Sequence, residues 1–87
     1  MLVEQEPKYD VNAEGRIFNR ATGQVIPDDE PVMIFRARDK HAIQALMYYA
    51  NHCVDPAHVA IVDQRIDDFR AFRKAHPDRM KEPDSPA

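Results

Sequence analysis

Apolar and polar residues alternate differently in the two halves of the chain, which predicts short strands first and amphipathic helices afterwards. Tyr9–Asn12 is a candidate strand that leads into a turn at Ala13–Gly15. The stretches Arg16–Asn19 and Gln24–Pro27 flank a loop that ends in glycine. Glycine supplies the positive φ that such loops need, so the pattern predicts a β-hairpin, with the Asn19 side chain available to close a turn.

The segment Val32–Ala37 has the strongest strand pattern in the sequence, and it follows an acidic connection that ends at Pro31. Its first four residues are all apolar, which predicts a strand that is covered on both faces at that end. Alternation then places Arg36 on the face of Val32 and Ile34.

Helical spacing governs the rest of the chain. Asp39 is a suitable N-cap for a helix from about Lys40 to Cys53, and Asp55-Pro56 predicts the start of a second helix that runs to about Ala75, before Pro77. Each helix carries one apolar stripe. The predicted stripes comprise Ile43, Leu46, Met47, Ala50 and Cys53 in the first helix, and Val59, Val62, Ile66 and Phe69 in the second.

These elements predict an α+β fold in which a small antiparallel β-sheet of two to four strands precedes a two-helix hairpin. Residues 9–76 form the predicted single domain. Residues 1–8 are predicted to be a flexible arm, and residues 77–87 an extended or disordered tail.

Composition narrows the class of protein. The chain has 87 residues, 44% of them hydrophobic and 31% charged, which suits one globular domain with a thin core and favours self-association. The net charge of −3 disfavours direct binding of DNA or RNA, because such binding depends on neutralising phosphates. A lone cysteine, Cys53, and an N-terminus without a basic start or an apolar run predict a cytoplasmic protein without a membrane span.

A cationic cluster at the junction between the predicted strand and helix is the main candidate site. It consists of Arg36, Arg38, Lys40 and His41. A helix N-terminus favours negative charge and arginine grips phosphate, so the cluster predicts a site for an anion such as a nucleotide. The alternative is that these cations are solvated, or pair with the acidic residues Asp28–Glu30 at the other end of the strand or on a neighbouring subunit.

Aromatic residues of the first helix extend this hypothesis. Tyr48 and His52, with Arg16 or Arg20, are candidates for a second part of the site, since tyrosine can stack on a base. Tyr49 is assigned instead to an interface, together with Ile61 and Phe72 of the second helix, which could anchor an oligomer or partner contact.

Other chemistry finds little support in the sequence. His52, Cys53 and His58 lie close together, but a structural zinc site needs four ligands, and Cys53 falls on the apolar stripe, so no metal is predicted. No catalytic motif is present, and the single serine, Ser85, lies in the predicted tail. The sequence therefore predicts neither an enzyme nor a cofactor.

Short motifs spread over Asn19–Asp84 resemble small phage- and prophage-encoded proteins of proteobacteria that carry no assigned activity. The resemblance implies a setting in which small proteins act by stoichiometric binding, as inhibitors, sponges or adaptors. The residues that carry it are Asn19–Gly23, Ile26–Val32, Phe35–Asp39 with Ala42, Phe69–Phe72, His76-Pro77 and Lys81–Asp84.

We therefore predict a non-catalytic, homo-oligomeric binding protein that sequesters an anionic small molecule such as a signalling nucleotide, in the manner of a phage counter-defence protein. The alternative is an inhibitor or adaptor that docks on a host or phage protein. Its contact would be the side of the second helix with Ile61 and Phe72, or the acidic loop Asp28–Glu30 acting as a mimic of nucleic acid.

Overall fold

A computed structural model describes residues 6–83, so residues 1–5 of the predicted arm and residues 84–87 of the predicted tail, including Ser85, lie outside the described residues. The chain divides into two compact units, Met1–Met33 and Ile34–Ala87, and each is considered by itself. The first contains a two-stranded antiparallel sheet and the second contains two α-helices. This element order confirms the predicted α+β class.

The sheet of the first unit pairs β1 (Tyr9–Val11) with β2 (Ile17–Asn19). The turn between them is closed by Asn12, whose Oδ1 accepts the backbone N–H groups of Glu14 and Arg16. Gly15 adopts a φ of 78°, as its place in this turn requires.

The hairpin predicted around residues 20–23 is present only in reduced form. Its second stretch contributes a single antiparallel bridge, between Phe18 and Val25. Pro27 follows closely and has no N–H to donate, which limits further pairing. The Asn19 turn is confirmed, because its Oδ1 accepts the N–H groups of Ala21 and Thr22.

The predicted strand Val32–Ala37 is wrong. Residues 31–36 have no regular secondary structure, and the side chains are exposed, Met33 to 81%. An apolar β-prone run forms a strand only where a neighbour supplies hydrogen bonds and cover. Within residues 6–83 no strand pairs with this segment.

The first helix, α1, spans Ala42–His52 and begins two residues later than predicted. Its N-cap is His41, without a side-chain cap, so the assignment of Asp39 as N-cap is wrong. Asp39 instead accepts the His41 N–H on its carboxylate at 2.8 Å and forms a parallel bridge with Lys81. That backbone pairing holds Asp39 outside the helix.

The second helix, α2, spans Pro56–Ala75 and starts as predicted. Asp55 is the N-cap and accepts the Ala57 N–H at 2.9 Å, while Pro56 occupies the first helical position. The helix ends where the His76 N–H donates to the Phe72 carbonyl, immediately before Pro77.

The helices pack antiparallel, since Met47 of α1 contacts Arg70 of α2 and Tyr49 contacts His58. The predicted α2 stripe is confirmed, with Val59 half-buried at its edge. In α1 the stripe is confirmed except for Met47, which is exposed. Ala42, which was not part of the predicted stripe, is also buried in the core. The buried core comprises Ala42, Ile43, Val62, Ile66 and Phe69.

The C-terminal segment makes specific contacts over residues 77–83, where an extended or disordered tail was predicted. Pro77–Arg79 form a 3-10 helix. Lys81 then pairs with the residues before α1, because its N–H donates to the Arg38 carbonyl at 2.9 Å and its carbonyl accepts the Lys40 N–H at 3.0 Å. No helix within residues 6–83 is both long and apolar enough to cross a membrane.

Candidate functional site

The predicted cationic cluster lies in the segment that leads into α1. Arg36, Lys40 and His41 are exposed, and Arg38 is half-buried. The backbone around Arg38 and Lys40 is fixed by its pairing with Lys81, so this segment has a defined course before the helix begins.

Carboxylates of the same chain already occupy part of this cluster. Nε2 of His41 lies 2.6 Å from Oε2 of Glu82, and the Asp39 carboxylate accepts a hydrogen bond from the backbone N–H of His41. Arg36, by contrast, forms no ion pair with any residue in the range 6–83. In the acidic loop, Asp28 pairs with Arg16 of the same unit at 2.8 Å.

Tyr48 and His52 lie on the exposed side of α1, and their ring centroids are 4.4 Å apart. They follow His41 by seven and eleven residues, so all three lie on one face of the helix. Measured along the helix axis from His41, Tyr48 is about 10 Å away and His52 about 16 Å away. The predicted ligand residues therefore form an elongated open surface.

A patch of exposed apolar residues lies where the two helices are joined. The Tyr49 hydroxyl is 3.0 Å from Nε2 of His58, and this contact brings the end of α1 beside the first turns of α2. Val54, in the connection, is 94% exposed, and Ile61, one turn beyond His58, is 42% exposed. We call Tyr49, Val54 and Ile61 the turn patch.

Phe72, the third predicted interface residue, is half-buried beneath the C-terminal segment. The Arg79 guanidinium lies 4.7 Å from the centre of its ring, and the His76 ring lies 5.0 Å away. Phe72 therefore shares a face of α2 with Ile61, at a distance of about 16 Å, but does not join the turn patch.

A groove of about 360 Å³ between α1 and α2 was not predicted. The signal in the sequence is the pair Asp63 and Asp67, four residues apart on α2 and next to the apolar stripe. The groove is lined by Met47, Ala50, Asn51, Asp63, Ile66, Asp67 and Arg70.

The remaining candidates are dispersed. Arg16 and Arg20 lie in the first unit, where they pair with Asp28 and Asp10, respectively. Cys53 is half-buried with a free thiol. Across residues 6–83, no group of three or more His, Cys, Asp or Glu residues is arranged to hold a metal ion.

Comparisons of the chain with protein-family models, with curated proteins and with solved structures return no match.

Proposed function

We propose that this protein is a non-catalytic binding protein that self-associates and docks on another protein through the turn patch. The observation that carries the proposal is the exposure of Tyr49, Val54 and Ile61 at the end of the helical hairpin where the two helices are joined. Exposed apolar residues gathered in one region are typical of protein interfaces.

The limited core supports this proposal. The buried residues all belong to the second unit, and the first unit has no buried side chain among residues 6–33. Large apolar side chains consequently remain in contact with water, at a free-energy cost of about 25 cal/mol per Å² of apolar surface. Association with a protein removes that surface from water.

The composition of the turn patch also suits a protein partner. Tyrosine is enriched among interface residues that dominate binding energy, because it offers a large apolar ring and a hydroxyl with few rotatable bonds. The hydrogen bond to His58 fixes the Tyr49 ring before any partner arrives, which reduces the entropy lost on binding. The setting implied by the resemblance, an inhibitor or adaptor of phage origin, is consistent with such a surface.

A photoreactive amino acid at position 54 tests the proposal. In an extract of cells that produce the protein, we expect position 54 to form a discrete cross-linked product. The matched position Arg73, also exposed but at the other end of α2, should not. Substitution Ile61→Asp should reduce the product at least tenfold, because loss of an interface hot spot costs about 2 kcal/mol or more.

The proposal would be contradicted if positions 54 and 73 cross-linked equally, or if Ile61→Asp left the yield of the position 54 product unchanged. Ile61 is exposed, so the substitution is expected to leave the helical hairpin folded, which far-ultraviolet circular dichroism checks.

Sequestration of an anion is a second candidate function. One observation favours it: the Glu82 carboxylate binds His41, in the same segment as Arg36 and Lys40, so an oxyanion already occupies part of the predicted site. A phosphorylated small molecule would displace Glu82 and gain Arg36, which lacks an ionic partner among residues 6–83. The expected ligand class is a nucleotide.

A thermal shift screen with mono-, di- and cyclic nucleotides tests the second candidate. A ligand at 100 times its Kd stabilises the folded state by about 2.7 kcal/mol. We expect the double variant Arg36→Ala/Arg38→Ala to abolish the shift, and Arg73→Ala/Lys74→Ala, which removes the same charge elsewhere, to preserve it. A shift that survives the first pair, or no shift with any nucleotide, rejects the candidate.

A further inference from the structure

The groove between α1 and α2 is lined by both apolar and acidic side chains. Met47, Ala50 and Ile66 supply the apolar side, and Asp63 and Asp67 supply the carboxylates. The carboxylate of Asp63 forms no ion pair or hydrogen bond with any residue from 6 to 83. A groove of this composition suits a segment that carries both an apolar and a cationic side chain.

Arg70 shows how the groove receives a guanidinium group. Its Nη2 lies 3.5 Å from Sδ of Met47, and its Nη1 lies 3.9 Å from Oδ1 of Asp67. Arg70 pairs with Asp67 and not with Asp63, so the Asp63 carboxylate lacks an ionic partner within residues 6–83.

The same chain carries a segment with the complementary features. Residues 32–36, here called the docking segment, are four apolar residues followed by Arg36, all exposed and without regular secondary structure. In extended backbone, side chains two residues apart point the same way. Ile34 and Arg36 would thus face one side.

We propose that the docking segment of one copy lies in the groove of a second copy. Ile34 packs on Met47 and Ile66, and Arg36 pairs with Asp63. In extended backbone Ile34 and Arg36 are about 6.6 Å apart, and Asp63 and Ile66 are about 4.5 Å apart along α2, a difference that the long arginine side chain can span. Reciprocal exchange of the two segments gives a twofold dimer with two such contacts.

This inference rests on the self-association included in the proposed function, but not on the turn patch. It accounts for three features together: the failure of residues 32–37 to form a strand, the exposure of Arg36, and the unpaired carboxylate of Asp63 within residues 6–83. Charge complementarity identifies the occupant as a second copy, because the chain itself presents the apolar and cationic pair that the groove accepts.

Charge reversal on each side of the contact tests the inference by analytical ultracentrifugation of the full chain. We expect Arg36→Glu alone and Asp63→Lys alone each to raise the Kd of the dimer at least tenfold. An equimolar mixture of the two variants should restore a dimer within about threefold of the parent Kd, because both reciprocal contacts regain opposite charges. Arg73→Glu, on the same helix outside the groove, should leave the Kd unchanged.

A parent chain that stays monomeric at millimolar concentration would overturn the inference and leave the turn patch proposal intact. The inference would also be overturned if neither variant changed the Kd of the dimer, or if the mixture of the two variants did not restore the parent Kd. The milder Asp63→Asn should give a smaller rise in Kd than Asp63→Lys, and it provides the measurement if the reversal disturbs the fold.

Discussion

Replacement of Ile66 by alanine should lower the free energy of unfolding by about 2–5 kcal/mol. Ile66 is 4% exposed and packs in the core of the helical unit, where truncation leaves a cavity that the neighbours fill only in part. The loss is large against the 5–15 kcal/mol of a typical protein. Urea denaturation followed by circular dichroism at 222 nm measures it.

Ile61→Ala provides the matched control, because it makes the same change on the same helix at a position that is 42% exposed. We expect it to cost less than about 1 kcal/mol when the chain is dilute and monomeric. Equal losses for the two variants would mean that α2 buries a different face from the one described.

Phe69→Ala should cost about 3–5 kcal/mol and weaken the whole helical unit, since Phe69 is a buried member of the same core. Phe72→Ala should act differently. Its ring is covered by Arg79 and His76, so the substitution removes contacts that hold the C-terminal segment. Amide hydrogen exchange should therefore accelerate at residues 79–81 in this variant, while protection in the middle of α2 falls only slightly.

A single hydrogen-exchange experiment therefore distinguishes the two phenylalanines by where protection is lost. If Phe72→Ala instead reduced protection throughout α2 as strongly as Phe69→Ala, Phe72 would be a core residue. If it left residues 79–81 unchanged, the contact between Arg79 and the ring would have no role in holding the segment.

The helices could be predicted from the sequence because local signals and the core agree there. The start of α2 is set by the adjacent residues Asp55 and Pro56, which are the N-cap and the first helical position. The buried face of α2 follows from the spacing of its apolar residues. The start of α1 was placed two residues too early because its cause is not local. Lys81, some forty residues away, holds Asp39 outside the helix.

The strand error at residues 32–37 has a similar origin. A β-prone run specifies a strand only when another strand pairs with it, and sequence pattern does not reveal whether that partner exists. Within the described part of the chain it does not, so apolar residues such as Met33 and Ile34 remain exposed.

The candidate site could be predicted only in part. The cationic cluster was identified by its residues, but the pairing of His41 with Glu82 joins segments far apart in sequence and could not be foreseen. The groove was missed because Asp63 and Asp67 resemble ordinary solvated residues until Met47 and Asn51 of α1 are placed opposite them. Tyr49 and Ile61 were assigned to an interface from sequence, and whether they bind a partner stays a prediction.

Hydroxyl-radical footprinting of Tyr49 against its neighbour Tyr48 shows whether a protein covers the turn patch. Both tyrosines are exposed, but only Tyr49 belongs to the turn patch. In an extract of cells that produce the protein, we expect oxidation of Tyr49 and Ile61 to fall several-fold relative to the purified chain, while Tyr48 stays equally reactive. Unchanged oxidation of Tyr49 and Ile61 in the extract would show that no protein covers the turn patch, and would contradict the proposed docking function.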